Sequence, residues 1–319
     1  MAYLIGTDEA GYGPNLGPLI VSTSVWKVDE SQLDDDLYDS LSPSVSRTSM
    51  DAPNVVTIAD SKMLYRPGGD LAALERGVLS AISQITRCPT DWQQLWSHLC
   101  PKAGEHLSEL PWYKDFQCSI PIDLDQAKLG ELTGQLNSQL SQAGVELLNV
   151  RSTAVFPSTF NRSVEQSGSK GTLLSATTLE LVAEQLNQLP PAPTQIICDK
   201  HGGRNRYGGL LQTSLAPGLV RVVAEGRQES AYEFGTPQQP IRISFRAGGE
   251  SFLPSALASM TSKYLREIAM RAFNHFWAER VQDLKPTAGY PVDAKRFKRQ
   301  IEPTQAKLGI PDHHLWRIR

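Results

Sequence analysis

Cysteine is scarce and scattered in this chain: Cys88, Cys100, Cys118 and Cys198 are the only four in 319 residues. No Cys-x-x-Cys pair is among them, which leaves neither a cysteine zinc site nor a disulfide framework, and buried free thiols are expected. Long apolar runs are lacking too. None approaches the roughly 20 residues of a membrane-spanning helix, and the polar start after Met1 has no signal-peptide profile. A cytoplasmic location without a membrane partner is the expectation. Nor is there an excess of charge of either sign. The 31 Lys and Arg against 34 Asp and Glu leave a net charge of -3, so any binding of nucleic acid has to use a local patch. With 40% hydrophobic and 20% charged residues and no low-complexity runs, the composition is that of a globular protein, long enough for one large or two ordinary domains.

What the chain does have is concentrated between Leu4 and Ser22, where Asp8-Glu9-Ala10-Gly11-Tyr12-Gly13-Pro14 is followed by Gly17-Pro18. Tyr3, Leu4 and Ile5, bounded by Gly6, predict a short strand whose end delivers Asp8 and Glu9 into a turn of glycines and prolines. Two adjacent carboxylates repel each other and resist burial, so they need solvent, a shifted proton or a cation. Leu19 to Trp26 alternates and is β-branched enough for a second strand pairing back on the first. The polar stretch from Asp29 to Pro53, with Asp34, Asp35 and Asp36, is expected to be a surface insertion. Val55 to Ile58 reads as a short strand ending at Asp60-Ser61-Lys62.

Leu71, Leu74, Val78, Ile82 and Ile85 recur every three or four residues and predict a helix capped by Asp70 and stopped at Cys88-Pro89. An inserted subdomain is expected at about 89–148; its Trp92, Trp96 and Trp112 suit packing anchors better than base-stacking platforms. Val145 to Phe156 reads as a strand, Ser158 to Gly171 as a polar loop with Asn161, Ser169 and Lys170, and Thr172 to Leu189 as a helix. Thr194 to Cys198 is a continuous apolar run, a strand buried on both faces, and it ends at Asp199, a position that active-site carboxylates occupy in many α/β folds.

The basic loop after it, Lys200-His201-Gly202-Gly203-Arg204-Asn205-Arg206, fits neither Walker nor Rossmann spacing, and no small-molecule organic cofactor is expected. Lys200 and Arg204 could neutralise phosphate there, or the loop is a plain hairpin. His201 is open to metal ligation or to hydrogen bonding. Two strands, Leu219 to Glu225 and Ile241 to Arg246, lead to Gly248-Gly249-Glu250. Pro254 then opens a long helix with Leu257, Met260, Tyr264, Ile268, Ala272 and Phe276 as its buried stripe, while Ser259, Lys263 and Arg266 face elsewhere. A C-terminal helical region is expected at about 282–319, capped by Asp293, with Phe297, Ile301 and Leu308 inward and Lys295, Arg296, Lys298 and Arg299 outward. From Lys263 onward 12 Lys or Arg stand against 6 Asp or Glu, a patch that suits phosphate or solvent alike.

Taken in order, these motifs resemble the type 2 ribonuclease H family, ribonucleases HII and HIII. The Asp-Glu-Ala-Gly-x-Gly-Pro turn and the Ala258-Ser259-Met260-Thr261-Ser262-Lys263-Tyr264-Leu265-Arg266-Glu267 helix carry most of the likeness. Asp60-Ser61-Lys62, Leu173 to Thr177 running into Ile196 to Asp199, and Ala288-Gly289-Tyr290-Pro291 with His313-His314 add to it by order. The resemblance implies a ribonuclease H-like α/β fold with a mixed central sheet over 1–319, and cleavage of the RNA strand of RNA/DNA hybrids.

It further implies Asp8, Glu9, Asp199 and Glu250 as the acids around two Mg²⁺ or Mn²⁺ ions; placing Glu250 requires a one-residue deletion before the helix. Gly11, Tyr12, Gly13, Lys62, Lys200, Arg204, Lys263 and Tyr290 would meet the substrate, protein partners being unknown. Tyr12 departs from ribonuclease HII, which carries Arg between the two glycines. That loss of charge predicts better cleavage of uniform hybrids than of a duplex with one ribonucleotide. The alternatives are a nuclease of the same fold acting on another structured nucleic acid, and a non-catalytic nucleic-acid-binding protein.

Overall fold

Alternating burial makes the first strand the axis of the molecule: Leu4 faces one core and Ile5 the other, both fully buried. The computed structural model describes residues 1–48, 54–216 and 218–318. In chain order the strands are β1 (Ala2–Ala10), β2 (Leu19–Val28), β3 (Val45–Ser46), β4 (Val56–Thr57), β5 (Glu146–Val155), β6 (Thr194–Asp199), β7 (Arg221–Glu225), β8 (Glu229–Thr236) and β9 (Gln239–Arg246). Seven of them form one mixed sheet in the order β5-β2-β1-β6-β9-β8-β7. β1, β6 and β9 are parallel neighbours at its centre, and β2, β5, β8 and β7 run antiparallel to the strands they adjoin. The carboxyl ends of β1, β6 and β9 therefore open on the same edge, where α/β sheets commonly hold their ligands.

The helices are α1 (Leu37–Ser40), α2 (Ser61–Leu64), α3 (Ala72–Ile82), α4 (Trp92–Leu99), α5 (Gly104–Glu109), α6 (Pro111–Lys114), α7 (Gln126–Ala143), α8 (Pro157–Ser167), α9 (Lys170–Leu186), α10 (Gly208–Ser214), α11 (Leu253–Ala278), α12 (Pro291–Lys307) and α13 (Asp312–Leu315). α11 lies across β1 and β2 on one face of the sheet. Its approach requires Gly6, where a Cβ would stand 2.1 Å from the backbone of Pro254. On the other face Leu179, Val182 and Leu186 of α9 pack on Ile5, Val25, Ile196 and Ile243.

The segment 89–148 packs into the α11 core. Trp92, Trp96 and Trp112 are buried there, Trp112 edge-on to Phe273 at 5.3 Å. The fully buried Glu75 of α3 accepts hydrogen bonds from the backbone of Ile122, Asp123 and Leu124 and from the Tyr264 hydroxyl, tying this segment to α11.

Several expectations are corrected. Residues 158–167 are not a loop but most of α8, with Phe160, Asn161 and Val164 buried at helical spacing. The stretch 29–48 is not merely superficial, since Leu37, Tyr38, Leu41 and Val45 belong to the core; its continuation, 49–53, lies outside the described residues. Val55 to Ile58 shrinks to β4, which pairs with β3 apart from the main sheet. β8 was not anticipated, because the turn joining it to β9, Pro237-Gln238, has no glycine or asparagine to announce a hairpin. Leu308 is 45% exposed rather than inward, and Asp293 lies inside α12, where it accepts hydrogen bonds from Thr287 and Arg296 instead of capping the helix.

Candidate active site

β1 runs further than its apolar start suggests, so Asp8 and Glu9 are strand residues rather than turn residues. Consecutive strand residues point to opposite faces, yet one carboxylate oxygen of each reaches the same site. Asp199 ends the parallel neighbour β6, and one oxygen from each of Asp8, Glu9 and Asp199 lies within 4.8 Å of the others. Ser259 of α11 donates to Ser61 Oγ at 3.1 Å and lies close enough to Asp8 to ease its charge, Ser262 donates to the Asp8 carbonyl at 3.1 Å, and the Gly249 amide reaches Asp199 Oδ1 at 3.4 Å.

Burial dominates the electrostatics. It pushes the Asp8 carboxyl up to about 7, with the charge of Asp199 adding to the rise. Glu9 is raised well above the usual glutamate range by burial and then by Asp8 and Asp199, and burial likewise raises Asp199. Three carboxyls that resist ionising together form a site that lacks positive charge. Lys62, at the start of α2, supplies part of it: desolvation opposes its charge, but Asp60, Asp8, Glu250 and Asp199 outweigh that and hold its pKa above the usual lysine value. Glu250, on the short turn Gly249–Ser251, stands close enough for its charge to act on Lys62 and to be raised, after burial, by Asp199 and Asp60. It is outside the convergent trio.

The donor set suits a hard divalent cation. All three converging groups are carboxylates, the donors that Mg²⁺ and Mn²⁺ favour, while the neighbouring Cys198 and His201 are buried in the core. His201 bonds Ser175 Oγ at 3.0 Å, and burial pushes its pKa down to about 3, so it is a neutral packing residue rather than part of the acid group.

Beside the acids, a cleft of about 410 Å³ is lined by Gly11, Tyr12, Gly13, Lys62, Lys263 and Tyr290, among others. Gly11 has φ +92°, and a Cβ there would meet Arg266 Nε and the Pro18 carbonyl at 2.6 Å. Buried Arg266 donates to the carbonyls of Leu16 and Ala288, so it holds the glycine loop and does not face the cleft as a free cation. Lys263 is paired with Glu267 at 2.6 Å and sits over the Tyr65 ring. Tyr290 is 51% exposed at the rim beside Gly13.

Two predicted phosphate contacts part company. Lys200 turns away from the acids: its Nζ donates to Gly226 O, Asn205 Oδ1 and Ser230 Oγ, stapling the loop to β8. Arg204 stays near Tyr12, with only a 3.4 Å contact from Nη2 to Thr172 Oγ1 and an unpartnered Nε. Lys170, whose ammonium lies 4.7 Å from the centre of the Tyr12 ring, was missed as a site residue because its surroundings read as loop.

Fold and site together define an α/β protein with a cluster of three carboxylates, able to hold a cation, at the carboxyl edge of a mixed sheet. No protein-family model and no curated protein matches the sequence. Among solved structures the chain is similar to ribonuclease H2 from Pyrococcus horikoshii, at 15% identity and a TM-score of 0.46 over 98% of this chain and 92% of that one. It is similar also to the ribonuclease HII of Archaeoglobus fulgidus solved in complex with PCNA (13%, 0.42, 99% and 94%). A third is ribonuclease H3 of Aquifex aeolicus (11%, 0.42, 98% and 71%). Among the described residues no helix is long and apolar enough to cross a membrane.

Proposed function

We propose that the chain is a ribonuclease H-type endonuclease that cleaves the RNA strand of RNA/DNA hybrids with Mg²⁺ or Mn²⁺. The observation that carries this reading is the meeting of Asp8, Glu9 and Asp199 at the ends of two parallel strands, next to a glycine loop open to a nucleic-acid backbone. These three would hold the cation, and Glu250, outside the trio but close enough to sense Asp199, would join them from the neighbouring turn. When bound, a divalent ion would supply water activation and charge neutralisation at the phosphodiester.

The protein's own groups do the rest. Ser259 and the Gly249 amide orient the acids. Arg266 fixes the loop so that the Gly11 and Gly13 amides can meet a ribose 2′-hydroxyl, the group that separates RNA from DNA. Tyr290 offers an aromatic face to a sugar, and Lys62 and Lys263 face the phosphate.

The test is cleavage of a hybrid, a duplex with one ribonucleotide and plain DNA, with Mg²⁺ or Mn²⁺. Asp199→Asn is expected to keep the circular dichroism spectrum and lose at least about a hundredfold in hybrid cleavage, the scale of removing a charge-stabilising group. Full activity in this variant, or cutting of plain DNA as fast as hybrid, overturns the reading.

A further inference from the structure

We infer that Lys170 and Arg204, which approach Tyr12 from the start of α9 and from the loop after β6, form a binding subsite for a backbone phosphate near the acid cluster, and that Lys170 supplies the positive charge position 12 lacks. Tyr12 packs its ring against the core that includes Leu173 and Leu174, and the Lys170 ammonium lies 4.7 Å from the ring centre. An aromatic face attracts and orients a cation without neutralising it. The tyrosine hydroxyl comes close to two glycines, Gly171 and Gly202, where added Cβ atoms would stand 3.6 and 3.4 Å from it. The hydroxyl thus lies against the start of α9 and the loop that leads to Arg204.

Neither cation is spent on a carboxylate. Among the described residues no ion pair includes Lys170 or Arg204, and Arg204 Nε is buried without a partner. Two unpaired cations and a neutral phenol donor, three residues along the chain from Glu9, suit a singly charged phosphodiester oxygen pair. The expected loss of charge at position 12 is thereby revised: the charge is moved to the start of α9. The chemical identity of the anion, a nucleic-acid backbone, rests on the proposed function; the anion site itself does not.

The experiment measures binding of a short fluorescent RNA/DNA hybrid to the Asp199→Asn protein across a KCl series. Lys170→Met is expected to weaken binding and reduce the salt slope by about one unit, and Arg204→Met to do the same. Lys170→Arg retains the slope. Adding Tyr12→Arg to Lys170→Met is expected to restore most of it, since the charge then returns to the same spot. The distant Lys307→Met serves as control and leaves it unchanged.

If the Asp199→Asn protein binds hybrid and Lys170→Met matches it in affinity and slope, the subsite is overturned while the nuclease reading stands. If that protein binds no nucleic acid at all, the nuclease reading falls, and pyrophosphate decides the subsite alone. A rise in Tm with pyrophosphate that Lys170→Met abolishes upholds it, and an absent or unchanged rise overturns it.

Discussion

Asp8 shows why this site is unstable without a cation. Its pKa in the folded chain is about 7 against 3.8 for an ordinary aspartate, so between those values the folded state keeps a proton that the unfolded state has released. Its contribution to stability is therefore present below about pH 4, falls as pH rises, and is gone above about pH 7, a swing of a few kcal/mol. Glu9 and Asp199 are raised as well and act in the same direction. A divalent cation held by these acids would remove the penalty by pairing with their ionised forms. Scanning thermal unfolding with Mn²⁺ or with EDTA should give a larger Mn²⁺-induced rise in Tm at about pH 8 than at about pH 5. Asp199→Asn should raise the Tm in EDTA at the higher pH and shrink the Mn²⁺ effect. Equal Mn²⁺ shifts at both pH values would remove these acids from the metal site.

At the scale of elements, the glycine loop between β1 and β2 is braced by the end of the chain. Asn15 Nδ2 donates to the Arg317 carbonyl at 2.9 Å, the Arg317 amide returns a bond to the Asn15 carbonyl at 2.8 Å, and the Arg317 guanidinium meets the Pro14 carbonyl. The tail is held in turn by α8: Asn161 donates to the Trp316 carbonyl at 2.8 Å and accepts from the Ile318 amide at 2.9 Å. Asn161→Ala removes both bonds and leaves two backbone groups to find other partners, at about 2 kcal/mol. The expected result is a lower urea midpoint together with a severalfold loss in hybrid cleavage at temperatures where the variant remains folded. Cleavage unchanged despite the lost stability would show that the tail braces the fold and not the loop.

This brace also marks where sequence reading stops. The acids were legible because an apolar strand running into carboxylates is a local pattern, and Asp8, Glu9 and Asp199 each fall within the last three residues of such a strand. Asn161 in α8 and Lys170 at the start of α9 were not, because α8 is polar on its outer face and its few apolar contacts, Phe160 and Val164, gain meaning only against Arg317 and β2, so the whole stretch up to Gly171 read as loop. Lys200 misled for the opposite reason: a lysine beside an active-site acid is a natural phosphate ligand, but β8, which takes its ammonium, was itself unread.

For the whole molecule, a net charge of -3 means that a polyanion must be held by a few places against an unfavourable average. The α12 cluster is smaller than its composition suggests. Arg296 is engaged by Asp293, and Lys298 by Asp312. Lys295 and Arg299 are exposed, and no carboxylate pairs with either among the described residues. They follow the cleft residue Tyr290 and the 88% exposed Val292 along one helix.

Phosphate contacts of this kind position a duplex without reading its sequence or its sugars. Lys295→Ala combined with Arg299→Ala should therefore weaken binding of hybrid and of plain DNA by the same factor and lower both salt slopes by about two units. The ratio of cleavage between uniform hybrid and single-ribonucleotide duplex should not move if, as proposed, that choice belongs to the loop of Gly11, Tyr12 and Gly13. Fluorescence anisotropy over a salt series, paired with cleavage of both substrates, checks this. Unchanged affinity and slope would make the α12 cluster a solvated face, and a changed cleavage ratio would place it in the reading of the ribose.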